Sequence, residues 1–72
     1  MKIMILGAGR VGESVAESLA SEQNDITVID IDPKRLAALQ DRLDLRGVVG
    51  NGVLPSVMKD AGAEDTDLLI AC

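Results

Sequence analysis

Six residues near the N-terminus, Gly7-Ala8-Gly9-Arg10-Val11-Gly12, stand between a short apolar run and a helical stripe. That placement constrains the fold more than any other feature of the chain. The run before it, Ile3-Met4-Ile5-Leu6, has no polar alternation and reads as a strand covered on both faces. After it, from about Arg10 to Ser21, Val11, Val15 and Leu19 recur at four-residue spacing with Gly12 and Ala16 beside them. This is one apolar stripe on a helix, with Glu13, Ser14 and Glu17 on its wet side. A strand that turns through glycines into a helix begins a βαβ unit.

The pattern continues to the end of the chain. Ile26-Thr27-Val28-Ile29 is a second strand, rich in β-branched residues. Asp32 and Pro33 start a second helix, as N-cap and first helical residue, and Leu36, Leu39 and Leu43 line its buried face. Arg46-Gly47-Val48-Val49 is a third strand, and Gly50-Asn51-Gly52 a turn. Leu54, Val57, Met58 and Ala61 make a third amphipathic helix around Pro55, with Gly62 placed to end it. Leu68-Leu69-Ile70-Ala71-Cys72 is a fourth strand, entered through Asp67 as a cap.

The order β-α-β-α-β-α-β predicts an α/β fold, a doubly wound parallel sheet of the Rossmann type. Right-handed crossovers give strand order 3-2-1-4, with a ligand crevice at the C-terminal ends of strands 1 and 4. Only the N-terminal half of such a domain is expected within residues 1–72, and a chain that stops at a buried strand is expected to be a fragment of a longer one.

In that context each glycine of G-x-G-x-x-G has a mechanical reason. Gly7 permits the sharp turn off strand 1. Gly9 lets a pyrophosphate approach the backbone, and Gly12 lets the helix pack closely on the sheet. The helix N-terminus then presents free N–H groups and about half a positive charge to phosphates. Asp30 follows Gly12 by 18 residues, at the end of strand 2. A carboxylate there accepts hydrogen bonds from the 2′- and 3′-hydroxyls of a ribose and repels a 2′-phosphate, favouring NAD over NADP. A solvated loop carboxylate is the plainer alternative. Arg10 can reach a phosphate from the start of the helix, and a solvent-exposed arginine is an equal reading. Gly50-Asn51-Gly52 falls on the adenine side of the crevice or is simply a tight turn. Asp32 is best explained as a helix cap.

Composition narrows the function classes. The formal charge of −5 argues against nucleic-acid partners, and the absence of Phe, Trp and Tyr removes the stacking platforms of single-strand binders. No stretch approaches the roughly 18 apolar residues of a membrane helix, and the apolar N-terminal run is too short for a signal peptide. The one cysteine, Cys72, cannot form an internal disulfide. A soluble, cytoplasmic chain without membrane insertion is expected. With no histidine and no metal-ligand cluster, catalysis is not expected from these residues.

The opening Met1-Lys2-Ile3-Met4-Ile5-Leu6-Gly7-Ala8-Gly9-Arg10-Val11-Gly12 resembles that of the TrkA-type regulators of bacterial potassium uptake. More broadly, it resembles the N-terminal half of RCK domains (regulators of potassium conductance). The likeness runs on through Asn24–Asp30, Leu43–Gly52 and Ala61–Ala71, so it covers the whole chain. It implies NAD(H), or alternatively ATP and ADP, bound in the crevice. It implies assembly into dimers or larger rings beneath a membrane potassium transporter or channel, at the inner face of the cell membrane, and gating of that partner by nucleotide. Carried onto this chain, the cofactor-binding residues are Gly7, Ala8, Gly9, Arg10, Val11, Gly12, Asp30, Ile31, Gly50 and Asn51. The competing reading is the cofactor-binding half of an NAD-dependent oxidoreductase, whose catalytic groups would lie on a further domain.

Overall fold

A computed structural model describes residues 1–72. Four strands, β1 (Lys2–Leu6), β2 (Asp25–Asp30), β3 (Arg46–Val49) and β4 (Leu68–Ala71), alternate with helices α1 (Arg10–Ala20), α2 (Pro33–Arg42) and α3 (Pro55–Asp60). A single 3₁₀ turn, Ala63–Asp65, leads into β4. The strands form one parallel sheet in the order β3-β2-β1-β4. The expected Rossmann-like topology is therefore present.

Strand parity divides the core. Ile3 and Ile5 of β1 and Ile26 and Val28 of β2 point to one face, where Ala16 of α1 and Leu36 and Leu39 of α2 meet them. Met4 and Ile29 point to the other face and pack on Ala61 at the end of α3. The central strands β1 and β2 are thus buried on both sides, which is why they carry continuous apolar runs. β4 is an edge strand, with Leu68 and Leu69 about half exposed.

The helix ends follow their local chemistry. Asp32 caps α2, its carboxylate accepting from Lys34 N–H at 2.9 Å, and Pro33 occupies the first turn. Gly62 takes the left-handed conformation, φ +93°, that stops the chain after α3. Asp67 accepts from Lys2 N–H at 2.8 Å and so ties the start of β4 to the start of β1.

Two expectations fail. Val11 does not belong to the buried stripe of α1; it is 64% exposed. The contact face is set by the small residues Gly12 and Ala16, flanked by Val15 and Leu19. Val11 precedes Gly12 by one residue, about 100° around the helix, and so points away. Leu54 is the N-cap of α3, outside its helical turns, and is about half exposed.

Arg42, in the last turn of α2, donates one guanidinium N–H to Glu17 and another to Glu13, both on α1. The hydrogen bond to Glu17 is the main cause holding the guanidinium's pKa above its ordinary value. This fork clips the two helices together at the surface.

Candidate functional site

The largest cleft, about 440 Å³, opens at the C-terminal ends of the strands, between the ends of β1 and β2, the segment after β3 and Cys72 just after β4. The ends of β1 and β2 form its floor, and the segment after β3 forms one wall. Parallel strands all end on this side, so loop backbone rather than regular structure surrounds the opening.

The three motif glycines are held by different constraints. Gly7 adopts φ +112°, which L side chains rarely reach. A β-carbon on Gly12 would stand 1.9 Å from the Gly7 carbonyl oxygen, so the first turn of α1 lies directly on the end of β1. Gly9 is under neither constraint. Its φ is −74°, open to any residue, and a β-carbon there would meet nothing within 4 Å. The fold itself therefore does not demand glycine at position 9. The space its missing side chain leaves is open, and Gly9 lines the cleft.

Amide bookkeeping follows the same boundary. Gly7 N–H donates to the Ile29 carbonyl at 2.8 Å, extending the sheet, and Ala8 N–H donates to the Asp30 carboxylate at 2.7 Å. The amides of Gly9, Arg10, Val11 and Gly12 donate to no group of the protein; intrahelical bonding starts with Glu13 N–H to the Gly9 carbonyl at 2.8 Å. No side chain caps this end of α1. Free N–H groups and the positive end of the helix dipole make such a terminus receptive to an anion.

Asp30 is half-buried at the end of β2. One carboxylate oxygen accepts from Ala8 N–H and the other from Asp32 N–H at 2.8 Å. Burial pushes its pKa up. The N–H groups of Asp32 and Ala8, the Arg35 charge and the Ile31 N–H outweigh burial and hold the carboxyl below its ordinary value. A carboxylate has about four acceptor positions. The Ala8 and Asp32 amides take one on each oxygen, which leaves acceptor capacity for adjacent hydroxyls.

Of the residues singled out from the sequence, Gly7, Gly9, Asp30, Ile31, Gly50 and Asn51 line this one cleft. Ala8, Arg10, Val11 and Gly12 do not. Ala8 is buried, Gly12 packs on β1, and the side chains of Arg10 and Val11 project into solvent. Asn51 accepts from Val53 N–H at 3.1 Å and so shapes its own turn. Leu6, Ile29, Gly52 and Cys72 also line the cleft, as do Arg35 and Val53, which bring charge and apolar surface that the motif does not signal. Arg35, in the first turn of α2, brings the cleft's cation and is held 3.7 Å from Asp32. Val53 is 77% exposed and Ile31 72%, and both line the cleft, offering apolar surface to a flat ring. The signal for Arg35 was its position three residues after the Asp32 cap, on a helix that starts where β2 ends.

A family model for the TrkA-N domain matches residues 3–72. The chain belongs to the TrkA-N domain family. Among curated relatives of this TrkA-N chain, the Trk system potassium uptake protein TrkA of Halomonas elongata is 59% identical over 71 residues, 99% of this chain and 16% of that protein. TrkA of Azorhizobium caulinodans is 54% identical over the same shares. This TrkA-N chain thus spans about one-sixth of the length of these relatives. Among solved structures, the Shewanella denitrificans Kef CTD in its AMP-bound form superposes with a TM-score of 0.78 at 24% identity, over 96% of this chain and 40% of that one. At that identity the likeness concerns the fold. No helix is long and apolar enough to cross a membrane, and no cluster of three metal-ligating side chains forms.

Proposed function

We propose that this chain is the nucleotide-sensing part of a cytoplasmic regulatory subunit of bacterial potassium uptake, with NAD(H) as its ligand and ATP or ADP as the alternative. The observation that carries the reading is Gly9. It is a glycine that the fold does not require, set against four free amides and facing the largest cleft. A ligand explains it, because only a bare backbone lets a phosphate approach those amides closely. The diphosphate sits at the N-terminus of α1 within reach of Arg10, and the ribose diol takes the remaining acceptor capacity of Asp30. The adenine lies against Ile31 and Val53, beside Gly50 and Asn51. The Asp30 carboxylate disfavours a 2′-phosphate.

The proposed chemistry is binding: free amides suit a diphosphate and the Asp30 carboxylate suits a diol. The relatives' names support a role in potassium uptake. Regulation then requires that nucleotide bind one state of a homo-oligomer better than another and so bias a membrane potassium transporter or channel subunit docked on it. The test is potassium flux through the full-length protein and its membrane partner in vesicles, with NADH, NAD, ATP or ADP on the cytoplasmic side. Flux that changes with one of these ligands is expected. Flux and assembly state indifferent to all of them would end the proposal.

A further inference from the structure

Asp30 does more than face the cleft. Its two carboxylate oxygens bridge the backbone of two loops, Ala8 in the glycine turn and Asp32 at the cap of α2. Ala8 N–H is the one amide between Gly7 and Gly12 that a side chain accepts. The four amides that follow it are free, so the direction in which they point depends on how the turn is held.

We infer that Asp30 is a positioning residue for the phosphate-binding turn, acting through the Ala8 amide before any ligand arrives, in addition to accepting the ribose. The inference rests on the nucleotide reading of the cleft. Its physical content is a difference in sign. A carboxylate near the α1 terminus repels phosphate by Coulomb's law, so deleting its charge should strengthen phosphate binding if charge were all that mattered. If Asp30 holds the turn, deleting it leaves the Ala8 and Asp32 amides without their acceptors and lets the turn wander. Phosphate binding then weakens, against the Coulombic trend. The acceptor capacity left on the carboxylate means that the ribose need not displace either backbone bond. The turn stays braced while the ligand binds.

ADP and 2′,3′-dideoxy-ADP separate the two roles. ADP is the adenosine-diphosphate moiety contained in NAD(H) and is itself an alternative ligand, and the dideoxy compound keeps the adenine and both phosphates but has no hydroxyl for Asp30. Affinities of both are measured for the full-length protein and for its Asp30→Ala and Asp30→Asn variants. Asp30→Ala is expected to weaken dideoxy-ADP about five- to tenfold, the scale of one lost net hydrogen bond, and ADP further. Asp30→Asn, which keeps an oxygen able to accept from Ala8, is expected to recover part of the dideoxy-ADP loss. Dideoxy-ADP bound by Asp30→Ala as tightly as by the wild type, or more tightly, would overturn the inference and leave Asp30 a ribose ligand alone. Amide exchange of the ligand-free protein provides a readout independent of binding. The Ala8 amide should exchange about tenfold faster in Asp30→Ala, as expected for an amide that loses a net hydrogen bond, and by a larger factor than the Val28 amide, whose exchange follows global stability. Unchanged Ala8 exchange would also overturn the inference. A wild-type protein that binds neither compound would defeat the nucleotide reading, and Ala8 exchange would still decide whether Asp30 holds the turn.

Discussion

Gly9 and Gly12 should separate ligand binding from folding when each is replaced by alanine. At Gly9 the added β-carbon meets nothing within 4 Å and the backbone φ of −74° suits any residue. Losing glycine's freedom in the unfolded chain stabilises by about 0.4–1 kcal/mol. Alanine is a poorer N-cap than glycine by a similar amount, so the two effects roughly cancel. The Gly9→Ala protein should melt within about 1 kcal/mol of the wild type by this reckoning. At Gly12 the β-carbon would stand 1.9 Å from the Gly7 carbonyl oxygen, and backbone must move to admit it. Overpacking of this kind costs about 1–3 kcal/mol or more. Binding reverses the order of interest. In Gly9→Ala the new methyl occupies the face by which phosphate reaches the free amides. Losing one or two hydrogen bonds to a charged group, at about 1.5–3 kcal/mol each, means at least a tenfold loss of affinity. Thermal melts and calorimetric titration of the same samples provide both numbers. A Gly9→Ala protein that binds as the wild type does, or that melts as low as Gly12→Ala, would show that Gly9 is not kept bare for a ligand.

Three further outcomes follow from the same structure. The Asp30 carboxyl is held below its ordinary pKa, so the stability it contributes is full above the unfolded value of about 3.9 and is lost as pH falls through its lower folded value. Asp30→Asn should therefore be less stable at neutral pH and show a shallower acid limb, and parallel acid limbs would exclude this. Gly62→Ala forces an L residue to φ +93° and should cost about 1–2 kcal/mol, read as a lower Tm; an unchanged Tm would mean the turn relaxes freely. Arg42→Gln should lower Tm at low ionic strength, with the difference closing at about 1 M salt, where screening is strong. A salt-independent difference would assign Arg42 a packing role instead of its fork to Glu13 and Glu17.

The sheet order could be read from the sequence because each strand announces its environment. Ile3–Leu6 has no polar alternation, as a central strand requires, and Asp32-Pro33 and Gly62 mark helix ends by backbone chemistry that operates locally. Val11 could not be placed by spacing alone, since Val11, Val15 and Leu19 and the set around Gly12 and Ala16 are both plausible stripes. Only the approach of α1 to the Gly7 carbonyl selects between them. The cleft was legible in part. Gly7, Gly9 and Asp30 stand in a motif, whereas Arg35 reads as one more charged residue on a wet helix face until α2 is seen to start beside the end of β2. The second role of Asp30 was invisible, because its partners are backbone amides that no side-chain pattern reports.

On the proposed reading, the cleft binds an adenine nucleotide through the glycine turn and Asp30. Calorimetric titration of the full-length protein with NADH, NAD, NADPH, ATP, ADP and AMP, repeated with Asp30→Ala, tests it most directly. The expected result is saturable binding of NAD(H), or of ATP and ADP, with NADPH weaker. In Asp30→Ala the loss should be about 1.5–3 kcal/mol, the range for hydrogen bonds to a charged group. A folded full-length protein that binds none of them, or that binds one equally well without the Asp30 carboxylate, would contradict it.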